Sequence, residues 1–335
     1  MDLDVVFIGT SGSTPTARRG APSLLIRRGG DRLLVDCGEG TQRQLQRSSI
    51  GLLDLPDIFV THLHADHYLG LPGMLKTFSL RGREAPLTVY GPPGIRALFS
   101  ALRQVFGKLS YELALVELEP GERIDRREYR LGTFAVDHDA TAFGYTLVEG
   151  ARPGRFDVEA ARQLGVPEGP LWGALQRGAA VELDDGTTVL PEAVVGEARP
   201  GRRVVVTGDT RPARSVLEAA KGAQLLVHDG GFGDEEIDRA NETGHSSATQ
   251  AAQLACGADV GLLALNHISP RYFGPELARE ARAIFANTVV PRDFDVVEVP
   301  FPERGTPRLI KRGAAVATGP SGGLEQPSAP AAGEE

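Results

Sequence analysis

Short apolar runs recur along the chain, and each ends in a polar cluster. VVFIG (5–9) runs into TSGS, LLVD (33–36) into CGEG, IFVT (58–61) into HLHADH, and FAVD (134–137) into HDAT. VVVTG (204–208) precedes Asp209, LLVH (225–228) precedes Asp229, and LLALN (262–266) precedes His267. Runs this short with few polar alternations predict strands buried on one or both faces. Elsewhere the period lengthens to that of a helix. Ile95, Leu98, Phe99, Leu102, Val105 and Phe106 follow a Gly-Pro-Pro-Gly opening and predict a helix over 95–109. Further helices are predicted after Glu39, after His245 and over 275–285. Helices interleaved with buried strands give an α/β layered fold.

Two segments break the pattern. Residues 151–200 read as two short helices around LGVPEGPLWGAL and then a hairpin, with Asp185-Gly186 as the two-residue turn between VELD and TTVLP. The segment separates the N-terminal strands from GRRVVVTGDT as an insertion would. It holds five arginines against eight acids, so it is not a basic arm. Its Trp172 either packs inside the insertion or contacts a partner. Residues 313–335 are rich in Pro, Ala and Gly, with too few apolar side chains to offset their ordering entropy. They are expected to be a disordered tail to a domain spanning 1–312.

Composition narrows the function. A chain of 335 residues buries a core without staples, and a net charge of −8 argues against binding nucleic acid by bulk electrostatics, so any such contact is local. Cys37 and Cys256 are too few for a disulfide framework or a zinc ribbon and read as buried thiols in a reducing compartment. No apolar run has the length of a membrane span. The N-terminal MDLDVVFIG offers neither a basic leader nor a cleavage site, so a cytoplasmic protein with no membrane contact is expected.

The chemistry concentrates in Thr61-His62-Leu63-His64-Ala65-Asp66-His67. His62 and His64 follow a strand and are two residues apart, so they share a direction, and Asp66 and His67 turn into the same space from the next loop. Neutral imidazoles suit zinc and related ions, and a carboxylate among them serves a second ion or holds a water. His138, Asp209 and His267 each follow a predicted strand, and α/β sheets gather ligands at the carboxyl ends of their strands. Five histidines and two aspartates exceed one tetrahedral site and suit two bridged ions.

These residues resemble the metallo-β-lactamase superfamily, through THLHADH, the isolated His138, the GDT around Asp209, and His267. FIGTSGSTPTARRGAPSLLI, GLPGMLKTFSLRGREAPLTVYGPPG, HDATAFGYTLVE, LGVPEGPLWGALQRG, GHSSATQAA and NHISPRY narrow the resemblance to the ribonuclease Z family of tRNA 3′-processing endonucleases, over residues 1 to about 300. The resemblance implies an αββα sandwich with a protruding, substrate-clamping arm at 151–200, and a homodimer whose arm reaches tRNA at the partner's site. It implies two zinc ions per subunit, with manganese or another divalent ion as the alternative. One ion falls to His62, His64, His138 and Asp209, and the second to Asp66, His67, Asp209 and His267. Asp66 is implied as general base and His245 as an acid-base residue. Relatives commonly carry His-Glu-Ala-Thr where this chain has His228-Asp229-Gly230-Gly231, a carboxylate one methylene shorter.

The expected reaction is hydrolysis of precursor tRNA at its 3′ trailer, leaving a tRNA 3′-hydroxyl. Metal-activated hydroxide attacks the phosphodiester, and His245 supplies the leaving oxygen's proton. Next to a helix start His245 needs an acid, Glu242 or Asp229, to stay protonated. Ser246 and Ser247 either cap that helix or present it to phosphate. Arg271, beside Tyr272 and just after His267, is the better candidate for a substrate phosphate, with Ser246 and Trp172 as further substrate contacts. Two other functions are compatible with the residues: a hydrolase of small esters, for which the 151–200 insertion is unnecessary, and a non-catalytic RNA-binding protein with structural metal, for which seven donors are too many.

Overall fold

Strand Leu3–Gly9 is continuously apolar from Val5 to Ile8 because both of its faces are buried there. Val5 and Phe7 enter one core and Val6 and Ile8 another. The same split recurs at Leu33 and Val35 against Leu34, at Val204 and Val206 against Val205, and at Leu225 and Val227 against Leu226. Each such side chain, fully withdrawn from water, contributes about 1.5–3 kcal/mol before ordering entropy is counted. A computed structural model describes residues 2–311 apart from Ser49, Leu53 and Asp54, so the expected tail at 313–335 lies outside the described residues.

Two sheets result. The first has eight strands, in the order Arg308–Ile310, Val296–Glu298, Leu3–Gly9, Ser23–Arg28, Asp31–Val35, Asp57–Phe59, Leu87–Gly91 and Leu113–Glu117. The second has seven, in the order Thr288–Val289, Leu262–Asn266, Leu225–Asp229, Arg203–Val206, Phe143–Glu149, Tyr129–Ala135 and Arg123–Asp125. One core lies between the sheets, with Phe7, Val35 and Phe59 meeting Tyr145, Leu147 and Val206. Helices cover the outer faces. Leu71–Leu80 and Ile95–Phe106 pack on the first sheet, and Arg214–Ala220, Ala248–Gly257 and Gly274–Ile284 on the second. The layers are therefore helix, sheet, sheet, helix, the αββα sandwich. Among the described residues no helix is long and apolar enough to cross a membrane.

Ile95–Phe106 stops three residues short of the predicted 109, because Gly107 takes a φ of 68° and ends the helix. The other predicted helices form at Thr41–Arg47, Ala248–Gly257 and Gly274–Ile284.

Strand ends fix where polar residues gather. Arg203–Val206, Leu225–Asp229 and Leu262–Asn266 run parallel, so Asp209, Asp229 and His267 reach one edge together. In the other sheet Asp31–Val35 and Asp57–Phe59 are parallel and bring Asp36 and His62 to their own carboxyl ends. A bridge between His62 and Ala142, with the Phe143 amide donating to the Thr61 carbonyl at 3.2 Å, joins the two edges.

The 151–200 segment has a small core of its own, made of Ala161, Val166, Leu175, Val181, Val189 and Val194. Asp157 caps helix Val158–Gln163, accepting from the Ala160 amide at 2.9 Å, and Pro170 opens helix Pro170–Gln176. The hairpin pairs Val181–Glu182 with Thr188–Val189. Its loop differs from the expected two-residue turn. Leu183 and Thr187 still pair, and the Gly186 amide donates to the Leu183 carbonyl, leaving Asp184, Asp185 and Gly186 (φ 83°) as a three-residue loop. A type I turn followed by a left-handed glycine produces this shape.

The root of the segment is ionic. Arg202, 2% exposed, grips Glu149 with two bonds of 2.7 Å, and the Arg28 Nε donates to the same carboxylate at 2.7 Å. Burial raises the Glu149 pKa, but the hydrogen bonds from Arg202 and Arg28 outweigh it and hold the carboxyl below its ordinary range. Glu149 is the last residue of strand Phe143–Glu149, whose first residue adjoins Thr61. The segment therefore leaves the sheet at the end opposite the polar edge, roughly 20 Å away at about 3.3 Å per residue.

Candidate metal centre

A strand end and the short helix after it carry the densest donors. His62 follows strand Asp57–Phe59, His64 stands just before the short helix Ala65–Tyr68, and Asp66 and His67 lie within that helix. His62 and His67 are buried, Asp66 is half-buried and His64 is exposed. His138, Asp209 and His267 arrive from three strand ends of the second sheet. The structure brings one donor atom each from His62, His64 and His138 within 4.8 Å of one another, and likewise Asp66, His67, Asp209 and His267.

Asp209 is the hub. Its Oδ2 lies 3.6 Å from His62 Nε2 and 3.3 Å from both His67 Nε2 and His267 Nε2. Asp66 Oδ2 lies 3.4 Å from His67 Nε2 and from His267 Nε2. On the other side, His138 Nε2 meets His64 Nδ1 at 3.1 Å. His62 Nε2, His67 Nε2 and Asp209 Oδ1 are buried with no hydrogen-bond partner. Buried polar atoms are nearly always paired, so orphaned atoms on His62, His67 and Asp209, residues of these two donor groups, fit bound cations.

Residues behind the donors decide which nitrogen faces inward. Asp36 Oδ2 lies 2.8 Å from His67 Nδ1, Thr61 Oγ1 lies 3.0 Å from His62 Nδ1, and the Gly244 carbonyl lies 2.9 Å from His138 Nδ1. Each leaves Nε2 toward the cluster, the usual way a protein fixes a ligating tautomer. Gly244 has a φ of 82°, and a side chain there would come within 2.5 Å of His138 Nδ1. The sequence reading missed Asp36, Thr61 and Gly244. Asp36 follows a buried strand run as Asp209 does, and that placement is the signal that could have found it.

Charge follows the same geometry. Burial lowers the His62 pKa well below its ordinary value and lowers that of His64, so both rings are neutral, the form that binds metal. Burial also opposes charge on His67, but Asp209 and Asp36 outweigh it and raise its pKa well above the ordinary value. Asp66 and Asp209 stay ionised, since neighbouring His67 and His267 overcome the cost of burial.

His245 stands beside the cluster. Its Nδ1 lies 2.8 Å from Asp229 Oδ2 and 4.0 Å from Asp209 Oδ2. Burial lowers its pKa, but the Asp229 charge and hydrogen bond prevail and lift it to about 9. Asp229 is thus the acid that the helix start requires, and the shorter side chain still reaches. After Asp229, Gly230 and Gly231 let the backbone pass close to the His267 turn: a side chain at 231 would meet the His267 carbonyl at 1.9 Å.

The three expected substrate contacts have different surroundings. Ser246 is fully buried and donates to the Thr210 carbonyl at 2.7 Å, so it orders the Asp209 loop and presents no hydroxyl to a substrate. Ser247 is the helix cap, in a reciprocal pair with Gln250. Arg271 is exposed but paired with Glu236 at 3.0 Å. Trp172 belongs to the separate 151–200 core, where its indole donates to the Val166 carbonyl at 3.0 Å and its ring lies 5.3 Å from Phe156.

Comparison with known proteins gives a consistent result. A profile described as the metallo-beta-lactamase superfamily matches residues 17–255. A ribonuclease Z of Natronomonas pharaonis is 48% identical over 308 residues, covering 90% of this chain and all of that protein. A ribonuclease Z of Gemmatimonas aurantiaca is 47% identical over 311 residues, covering 90% of this chain and 98% of that protein. The crystal structure of human tRNase Z, short form, superposes with a TM-score of 0.65 at 26% identity, covering 89% of this chain and 99% of that one.

Proposed function

The chain belongs to the ribonuclease Z family of the metallo-β-lactamase superfamily, and from this we propose that it removes the 3′ trailer from precursor tRNA. It is a hydrolytic endonuclease of tRNA processing, and its cut leaves a 3′-hydroxyl on the tRNA. The observation that carries the reading is the meeting of seven imidazole and carboxylate donors with the Asp229–His245 pair at one edge.

His62, His64, His138 and Asp209 would hold one ion, and Asp66, His67, Asp209 and His267 a second, with zinc the ion best matched to so many imidazoles. Such ions supply Lewis-acid polarisation of the phosphodiester and acidify a water. Asp66, ionised and 3.4 Å from two imidazoles, orients the attacking water and accepts its proton. His245 carries a proton near neutral pH and gives it, from Nε2, to the departing ribose O3′. Asp229 occupies Nδ1, so only Nε2 is available for that transfer. Ser246 and Thr210 keep the Asp209 loop in place while charge builds on the phosphate.

The arm at 151–200 serves the partner subunit. Its root lies at the far end of the strands from its own metal cluster, which favours a homodimer in which each arm holds tRNA bound at the other site. With five arginines against eight acids, the arm recognises tRNA by shape and a few local contacts.

The deciding experiment uses purified, metal-loaded protein and a 3′-extended precursor tRNA, with the cut mapped at nucleotide resolution beside an Asp66→Ala control. A single cut yielding a tRNA 3′-hydroxyl, lost in the variant, supports the reading. An intact precursor, or cleavage unaffected by Asp66→Ala, refutes it.

A further inference from the structure

His245 stacks on two rings that lie nearly parallel to its own. Phe232 is 5.7 Å away at an interplanar angle of 26°, and His267 is 4.9 Å away at 22°. The hydrogen bond to Asp229 fixes one point of the imidazole and still allows the ring to swing about that bond. Flat neighbours remove the swing. Phe232 is half-buried yet joins none of the four apolar cores of the described residues. Its backbone is mounted on the turn that carries His245, through a bridge to Ser247 and a 2.9 Å bond from the Ala248 amide to the Phe232 carbonyl. Ring and imidazole therefore move as one unit.

We propose that Phe232 is a positioning residue, whose ring holds the plane of the His245 imidazole so that its Nε2 proton meets the departing O3′. The proposal rests on the reading of His245 as the acid. As the water oxygen bonds to phosphorus, the bond from phosphorus to O3′ breaks; the Nε2 proton passes to O3′, and one proton of the water passes to Asp66. Misorientation of a reacting group by about 1 Å costs on the order of 10²-fold, and the ring plane sets where Nε2 points.

The test compares Phe232→Leu, Phe232→Tyr and His245→Ala in the full-length, metal-loaded enzyme on two substrates. Precursor tRNA releases an alkoxide that needs a proton, whereas bis(4-nitrophenyl) phosphate releases a phenolate that does not. For Phe232→Leu we expect kcat on tRNA to fall roughly 10–100-fold with KM within about twofold and metal content unchanged, while the phenolate-releasing reaction changes less than about threefold. Phe232→Tyr restores most of the loss. Equal losses on both substrates mean a structural role and overturn the proposal, as does a raised KM with kcat intact, which marks a base-stacking surface. Full tRNA activity in His245→Ala removes the acid and this proposal together. A leaving-group-dependent loss in His245→Ala but none in Phe232→Leu overturns this proposal alone.

Discussion

Asp229 and His245, sixteen residues apart, meet through a 2.8 Å contact between Oδ2 and Nδ1. The same Oδ2 accepts the Thr210 amide at 3.2 Å, which ties the acid-base pair to the loop of the hub carboxylate Asp209. Removing the charge while keeping the shape separates these roles. Asp229→Asn should lower single-turnover cleavage of precursor tRNA about 10²-fold with bound metal unchanged, because His245 loses the charge that keeps it protonated. Full activity in this variant would exclude His245 as the acid.

Asp36 should matter to metal binding without touching the ion. It holds His67 Nδ1 at 2.8 Å and also accepts the Thr61 amide at 2.8 Å. Asp36→Asn should weaken the metal affinity about 10–100-fold, read by competition with a chromogenic chelator. An unchanged affinity would mean that burial alone orients His67.

Metal removal should cost stability as well as activity. With the buried Nε2 atoms of His62 and His67 and the Oδ1 of Asp209 unpartnered, an ion that binds only the folded state raises the melting temperature by mass action. Dialysis against a chelator should lower Tm and abolish cleavage, and added zinc should restore both. A Tm indifferent to chelation would speak against a metal in this cluster.

The buried Glu149 should govern acid stability at the root of the arm. Its folded pKa lies below the ordinary 4.5, so its stabilisation is present above that value and is lost as pH falls through the lower folded pKa. Glu149→Gln should destabilise by about 3–5 kcal/mol at pH 7, because Arg202 and Arg28 stay buried and lose the carboxylate they share, Arg28 keeping the half-exposed Glu128. In urea melts the gap to the parent protein should narrow below about pH 4. A constant gap across that range would place the effect in packing.

Subunit mixing tests the arm. A chain with 151–200 replaced by a short linker and a full-length Asp66→Ala chain should each cleave tRNA poorly, yet regain activity when mixed as a heterodimer. No recovery in a verified heterodimer would mean that each arm serves its own site.

The α/β layering was legible because strands buried on two faces leave continuous apolar runs, as at Val5 to Ile8, while Ile95, Phe99 and Phe106 keep a helical period; the αββα order was implied only by the family resemblance. The donors were legible for a related reason. His62, Asp209 and His267 each follow such a run, and a strand's carboxyl end is where a sheet presents polar residues. These are local patterns, written within a few positions of one another.

What lay outside the local pattern had to wait for the fold. Ser246 looked like a phosphate contact until its hydroxyl was found on the Thr210 carbonyl, 36 residues back. Asp36 gained its role only when Asp31–Val35 paired with Asp57–Phe59. The insertion's placement opposite the metal cluster follows from the antiparallel pairing of Phe143–Glu149 with Arg203–Val206. Hydrophobic periodicity tells each strand which faces to bury but is silent on which strand lies beside it and in which direction; long-range pairing and packing of the whole chain settle that.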